Sequence, residues 1–171
     1  MTCATRITRA ALALLCGALA ACSSFDAEWK AAGQAAPGSG VTRWEGRWES
    51  AEHKLRSGAP DGGRLRAVLT ETQGAPGSRT GQASPLRADF RANWKSFASS
   101  YTMALAPIAG SRTDFRGTHD LPAIFGGTYR YTARIRGDHF TARYDSSYDR
   151  GTFTLRRLPP GKEPSAPNPR H

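Results

Sequence analysis

The groups best suited to chemistry in this chain lie near its C-terminal end, in the run Tyr144-Asp145-Ser146-Ser147-Tyr148-Asp149-Arg150-Gly151. Asp145 and Asp149 have the spacing of a carboxylate pair, and His139 precedes them on the same predicted strand. Two carboxylates do general acid–base work when their surroundings drive their pKa values apart, which requires burial. Turn formation explains the same residues more simply, because Asp and Ser side chains bond their own backbone in turns. The other histidines, His53, His119 and His171, form no His-Glu-x-x-His motif and no i, i+2 pair on a strand, so no metal site is expected. His119 falls on an apolar face with Phe115 and Leu121, where a hydrogen-bonded core histidine is the simpler reading beside that of a ligand or base. The chain has no Gly-x-Ser-x-Gly elbow. Gly62-Gly63 and Gly126-Gly127 precede predicted strands instead of helices, which makes them turns and not phosphate cradles. No cofactor is expected, and a hydrolase acting through Asp145, Asp149 and His139 is the least favoured reading, behind non-enzymatic roles.

Charge is the second chemical feature. The chain has 24 Lys and Arg against 14 Asp and Glu, a formal net charge of +10, and the basic residues are mostly arginine. Planar guanidinium forks suit carboxylates and phosphates, so anionic partners are favoured. A solvated arginine face, balanced by cross-strand Arg–Asp pairs, is the plain alternative.

The N-terminal segment says where such a surface would work. Arg6 and Arg9 precede a short apolar run, Ala10 to Ala21. Twelve helical residues reach only about 18 Å, short of the ~30 Å hydrocarbon core of a bilayer, so the run reads as the h-region of a signal peptide over residues 1–21. Leu19-Ala20-Ala21-Cys22 resembles the lipobox of bacterial lipoproteins. That resemblance implies cleavage before Cys22, a diacylglyceryl group on its thiol, and acylation of the new amino terminus with a fatty acid such as palmitate. Ser at position 23, where inner-membrane retention would have Asp, implies sorting to the outer membrane, facing the periplasm. In that compartment nucleic acid is not an expected partner; anionic lipid, acidic glycan or another envelope protein is. Cys3 and Cys16 leave with the signal, so the mature chain has no second thiol for an internal disulfide.

What remains is about 150 residues, the size of one domain. Residues 22–40 read as lipid anchor and flexible tether, within which Phe25 to Ala32 can form one or two helical turns. Residues 159–171, with five prolines from Pro159 onward, read as a disordered tail. Between them, residues 41–158 show period-two alternation eight times, the signature of half-buried strands. The alternating inward sets begin with Trp44 and Trp48, continue through Leu86, Ala88, Phe90, Ala92 and Trp94, and include Tyr129, Tyr131, Ala133 and Ile135. The Gly/Pro/Ser-rich stretch Thr72 to Pro85 is a long loop. Gly137-Asp138 has the Gly-first pattern of a type II′ turn. That turn sets Ile135 opposite Phe140, Ala133 opposite Ala142, Tyr131 opposite Tyr144 and Arg130 opposite Asp145.

The expected fold is all-β: a single antiparallel meander of about eight strands, closed as a small up-and-down barrel or strongly curled, with a β-sandwich as the alternative. Gly46-x-Trp48 on the first strand, with Arg156 and Arg157 at the end of the last, resembles the calycin or lipocalin arrangement. The resemblance implies a first-strand tryptophan packed under an arginine from the far end of the barrel. Two binding surfaces follow as expectations. Trp48, Phe90, Trp94, Tyr131 and Tyr144 would line a hydrophobic ligand site inside. Arg116, Arg130, Arg134, Arg136, Arg143 and Arg156 would form an anion-binding stripe outside. A filled interior would instead favour a structural or protein-interaction role.

Overall fold

Alternation of apolar and polar residues with period two puts one face of each strand in the core and the other in water, and the structure follows that rule through eight strands. In the computed structural model, residues 24–72, 83–94, 97–123 and 127–161 are described. The signal segment, Cys22, most of the Thr72–Pro85 loop and residues 162–171 of the tail lie outside them.

The strands are β1 (Val41–Lys54), β2 (Pro60–Glu71), β3 (Leu86–Asn93), β4 (Ala98–Pro107), β5 (Asp114–Asp120), β6 (Thr128–Arg136), β7 (His139–Asp145) and β8 (Arg150–Arg157). Each pairs antiparallel with its successor, and β1 also pairs with β8, from Trp44↔Arg157 to Ser50↔Gly151. The sheet is a closed eight-stranded barrel, which leaves no sheet edge to protect and excludes the sandwich. The β6–β7 hairpin has the register expected from its turn: Ile135↔Phe140, Ala133↔Ala142, Tyr131↔Tyr144 and Arg130↔Asp145. Gly137 has φ +58 while Asp138, like every non-glycine among the described residues, does not have a positive φ, which is the type II′ pattern.

The barrel has two rims. The Gly137 rim carries the start of β1, the β4–β5 connection and the 137–138 turn; the Tyr148 rim carries the β1–β2, β3–β4, β5–β6 and β7–β8 connections. β5 ends at Asp120, so Leu121, expected on the inward face, stands 37% exposed just beyond it.

The middle of the interior is filled by aromatic rings. Phe90, 1% exposed, lies at ring-centroid distances of 5.4 Å from Tyr101, 5.7 Å from Phe153 and 6.2 Å from Phe140. Towards the Tyr148 rim, Phe153 packs on Tyr131 at 5.9 Å and Tyr144 at 5.2 Å. Aromatic pairs at such separations add to the burial of their area.

A helix covers part of the outside. Residues 24–33 form α1, although the stretch from 22 to 40 was expected to be a tether. Phe25, Trp29 and Ala32 recur at i, i+4 and i+7 on one helix face, and they bury themselves with Val68, an outward residue of β2. The Arg43 and Arg66 guanidiniums lie 5.4 Å and 5.2 Å from the Trp29 ring. Asp26 pairs with Arg91 at 2.6 Å and Arg66 at 3.6 Å, and Glu28 pairs with Arg87 at 3.1 Å. The basic outer face of β2 and β3 is thus neutralised from within the chain.

Candidate functional site

The arginines of β5 to β8 are placed by the same alternation that fills the core: each lies at a position whose neighbours point inward. Arg116, Arg130, Arg134, Arg136, Arg143 and Arg156 are all exposed on the outer face. Cross-strand register arranges four of them around a threonine. Thr132 is paired with Arg116 on β5 and with Arg143 on β7, while Arg130 and Arg134 flank it on β6. Neighbouring strands lie about 4.8 Å apart and alternate residues about 6.6 Å apart, so four guanidinium stems rise around one hydroxyl within a patch about 10 Å by about 13 Å.

Their charges are unequally balanced. Arg134 Nε donates to Asp114 at 2.5 Å, and this hydrogen bond holds the Asp114 carboxyl below its ordinary range and raises the arginine in turn. Arg156 meets Asp138 at 3.1 Å. Among the described residues, no carboxylate lies within ion-pair distance of Arg116, Arg130, Arg136 or Arg143. The register sets Asp145 opposite both Arg130 and Arg150, yet no ion pair forms with Arg130. A planar anion presented to this face would find several unneutralised donors and the Thr132 hydroxyl.

The five inward aromatics form no comparable opening. Trp48 packs tilted against Trp94 at 5.2 Å, and its indole N–H donates to the carbonyl of Asn93 at 3.1 Å. Tyr131 and Tyr144 are 6.3 Å apart and both buried. The barrel mouth at the Gly137 rim holds an opening of ≈ 240 Å³, lined in part by the inward Trp44, Leu86 and Phe115 and by Arg157, and a depression of ≈ 130 Å³ lies beside α1. Neither touches Trp48, Phe90, Trp94, Tyr131 or Tyr144. Comparison with protein-family models, with curated proteins and with solved structures returns no match.

The tryptophan–arginine neighbourhood expected from Gly46-x-Trp48 falls on Trp44 instead, which is paired with Arg157. Arg157 shares the Gly137-rim opening with Trp44, whereas Trp48, the tryptophan of Gly46-x-Trp48, faces Phe153 across the strands.

The acid–base candidates are dispersed. Asp145 is exposed on the outer face, Asp149 is buried, and His139 begins β7 at the opposite rim. Six residue steps along β7 separate His139 from Asp145, about 20 Å. His139 instead meets Asp138 at 2.5 Å. No group of three potential metal ligands occurs among the described residues.

Asp149 has a role that turn chemistry alone did not disclose. Its backbone does close the predicted turn, accepting from Ser146 N and Ser146 Oγ. Its carboxyl points inward, where Ser50 Oγ donates at 2.6 Å and Tyr144 Oη at 2.7 Å. Burial, this hydrogen bond and the Asp149 charge hold the Tyr144 phenol well above its ordinary range. Burial does the same for Tyr131 and for Tyr101, whose hydroxyl is enclosed although part of the residue reaches the surface. A phenol so disfavoured as an anion is a structural donor, not a proton shuttle near neutral pH.

Proposed function

We propose that this chain is a lipid-anchored accessory protein of the bacterial cell envelope, held through Cys22 at the outer membrane and facing the periplasm. In this reading it binds an anionic envelope component, a phosphorylated lipid headgroup or an acidic glycan, on the outer face of β5 to β7. The observation that carries the binding half is the set of exposed arginines around Thr132 lacking carboxylate partners, beside an interior packed with its own aromatic rings. The filled core weighs against the other arm of the ligand hypothesis, a hydrophobic molecule held inside. Any kinship with lipocalin-like proteins rests on the barrel shape and the Gly46-x-Trp48 triplet.

The anchor half rests on Leu19-Ala20-Ala21-Cys22. No helix among the described residues is long and apolar enough to cross a membrane. The barrel itself is apolar inside and charged outside, the reverse of a membrane-spanning barrel. Two or three acyl chains would hold such a domain stably where one would not.

Two experiments test the reading. Metabolic labelling with a palmitate analogue should mark the wild-type protein and leave Cys22→Ser unmarked; an unlabelled wild type refutes the anchor. Titration with dextran sulfate should show binding that weakens with added salt and falls several-fold in Arg116→Ser/Arg143→Ser, with neutral dextran inert. If the sulfated polymer does not bind, the second reading takes over. That reading, favoured by the same filled interior, is a protein-docking lipoprotein without a ligand, and in-cell crosslinking would capture its partner.

A further inference from the structure

Among the described residues, three large apolar side chains stand out into water: Phe97 at 60%, Tyr148 at 58% and Leu121 at 37% exposure. All three sit on the Tyr148 rim, in the β3–β4, β7–β8 and β5–β6 connections respectively. Two of the three are braced from behind. Phe97 lies flat on Trp94, with 4.9 Å between ring centroids and 8° between planes, and Trp94 in turn packs on buried Trp48. Tyr148 lies 5.1 Å from the His53 ring, and its carbonyl is 3.3 Å from His53 Nε2. The same rim exposes Lys54 and Arg56, neither within ion-pair distance of a carboxylate among the described residues. Aromatic side chains beside basic ones are the composition of a surface that meets the boundary between lipid headgroups and acyl chains.

The course of α1 points to the same rim. Asp26, near its start, contacts Arg91, two residues from the end of β3 at the Tyr148 rim. Glu28 contacts Arg87, near the start of that strand, and the carbonyl of Gly33 accepts from Gly161 N beyond the end of β8. The helix therefore runs with its N-terminus towards the Tyr148 rim. Cys22 lies two residues before Ser24, a span of at most about 7 Å.

We propose that the Tyr148 rim seats on the bilayer that holds the acyl chains, with Phe97, Tyr148 and Leu121 entering the headgroup–acyl boundary and Lys54 and Arg56 at the phosphates. This inference rests on the anchor reading and adds an orientation to it. The barrel stands on end, the Gly137 rim points away from the membrane, and the arginine face of β5 to β7 is presented sideways to the periplasm.

Full-length, acylated protein reconstituted into vesicles of phosphatidylethanolamine and phosphatidylglycerol tests it. An environment-sensitive fluorophore is attached through Phe97→Cys, Tyr148→Cys or, at the far rim, Ala109→Cys. Vesicle flotation is measured first: a wild-type protein that does not float with the lipid refutes the anchor, and the orientation with it. For protein that floats, labels at 97 and 148 are expected to emit at shorter wavelength than the label at 109. They are also expected to be quenched several-fold more by lipid-borne nitroxide. Equal emission and quenching at all three positions overturns the orientation and leaves the anchor standing.

Discussion

The hydroxyl of Tyr144 reaches the buried carboxyl of Asp149 across Gly151, the residue paired with Tyr144 on the adjacent strand. A side chain on Gly151 would collide with the Glu49 carbonyl and with the Tyr144 ring, so the glycine makes room for the bond. Ser50 donates to the same carboxyl from β1, and the barrel is thereby stitched where its first and last strands meet. Tyr144→Phe should cost about 1.5–3 kcal/mol, the range for a hydrogen bond to a charged group. Gly151→Ala should cost about 1–3 kcal/mol by overpacking. Denaturant unfolding checks both; a loss below about 0.5 kcal/mol in each, the usual size of a surface change, would contradict the stitch.

Alkaline pH should unfold the barrel through its tyrosines. The phenols of Tyr101, Tyr131 and Tyr144 are raised above the ordinary value by burial. Below about pH 10 they are protonated in both folded and unfolded chains, and their contribution to stability is intact. Above it the unfolded chain holds fewer protons than the folded one, so stability falls as pH rises. NMR of labelled tyrosines should show these three ionising only together with loss of the strand circular-dichroism signal. Ionisation near pH 10 in an intact barrel would contradict their enclosure.

Helix α1 should come off the barrel without unfolding it. Trp29→Ala removes a side chain 5% exposed and should cost about 3 kcal/mol of docking. Hydrogen exchange is expected to show lost amide protection over residues 24–33 with β1 to β8 still protected. Global loss of protection would mean that the helix is part of the barrel core.

Period two made the strands readable, and the Gly137-Asp138 turn made one hairpin readable to the residue, because a two-residue turn leaves a single register. Closure was expected from a meander that removes its edges by curling, and the barrel closes as expected, but alternation alone does not give it. Nothing in the alternation of Trp44 and Trp48 or of Phe153 and Leu155 says that β1 will pair with β8 and not with a second sheet. The docking of α1 was hidden for a related reason. Its contacts, Val68 and Arg43, occupy outward positions that alternation assigns to water. Asp149 was legible as a turn residue but not as a buried acceptor, since Ser50 is brought to it only by closure and Tyr144 only by the β7–β8 register. The arginines were legible as a face. That Arg143 stands opposite Thr132 follows from the two-residue turn, whereas Arg116 on its other side and Asp114 opposite Arg134 depend on the β5–β6 register, which the longer connection does not dictate.

The account turns on binding outside a filled barrel, and an NMR titration of the isotopically labelled protein with dextran sulfate reads that directly. Shifts are expected at Arg116, Arg130, Thr132 and Arg143, with the resonances of Phe90, Tyr131 and Tyr144 unmoved. Shifts centred on those interior rings, or a titration that moves nothing on β5 to β7, would contradict it.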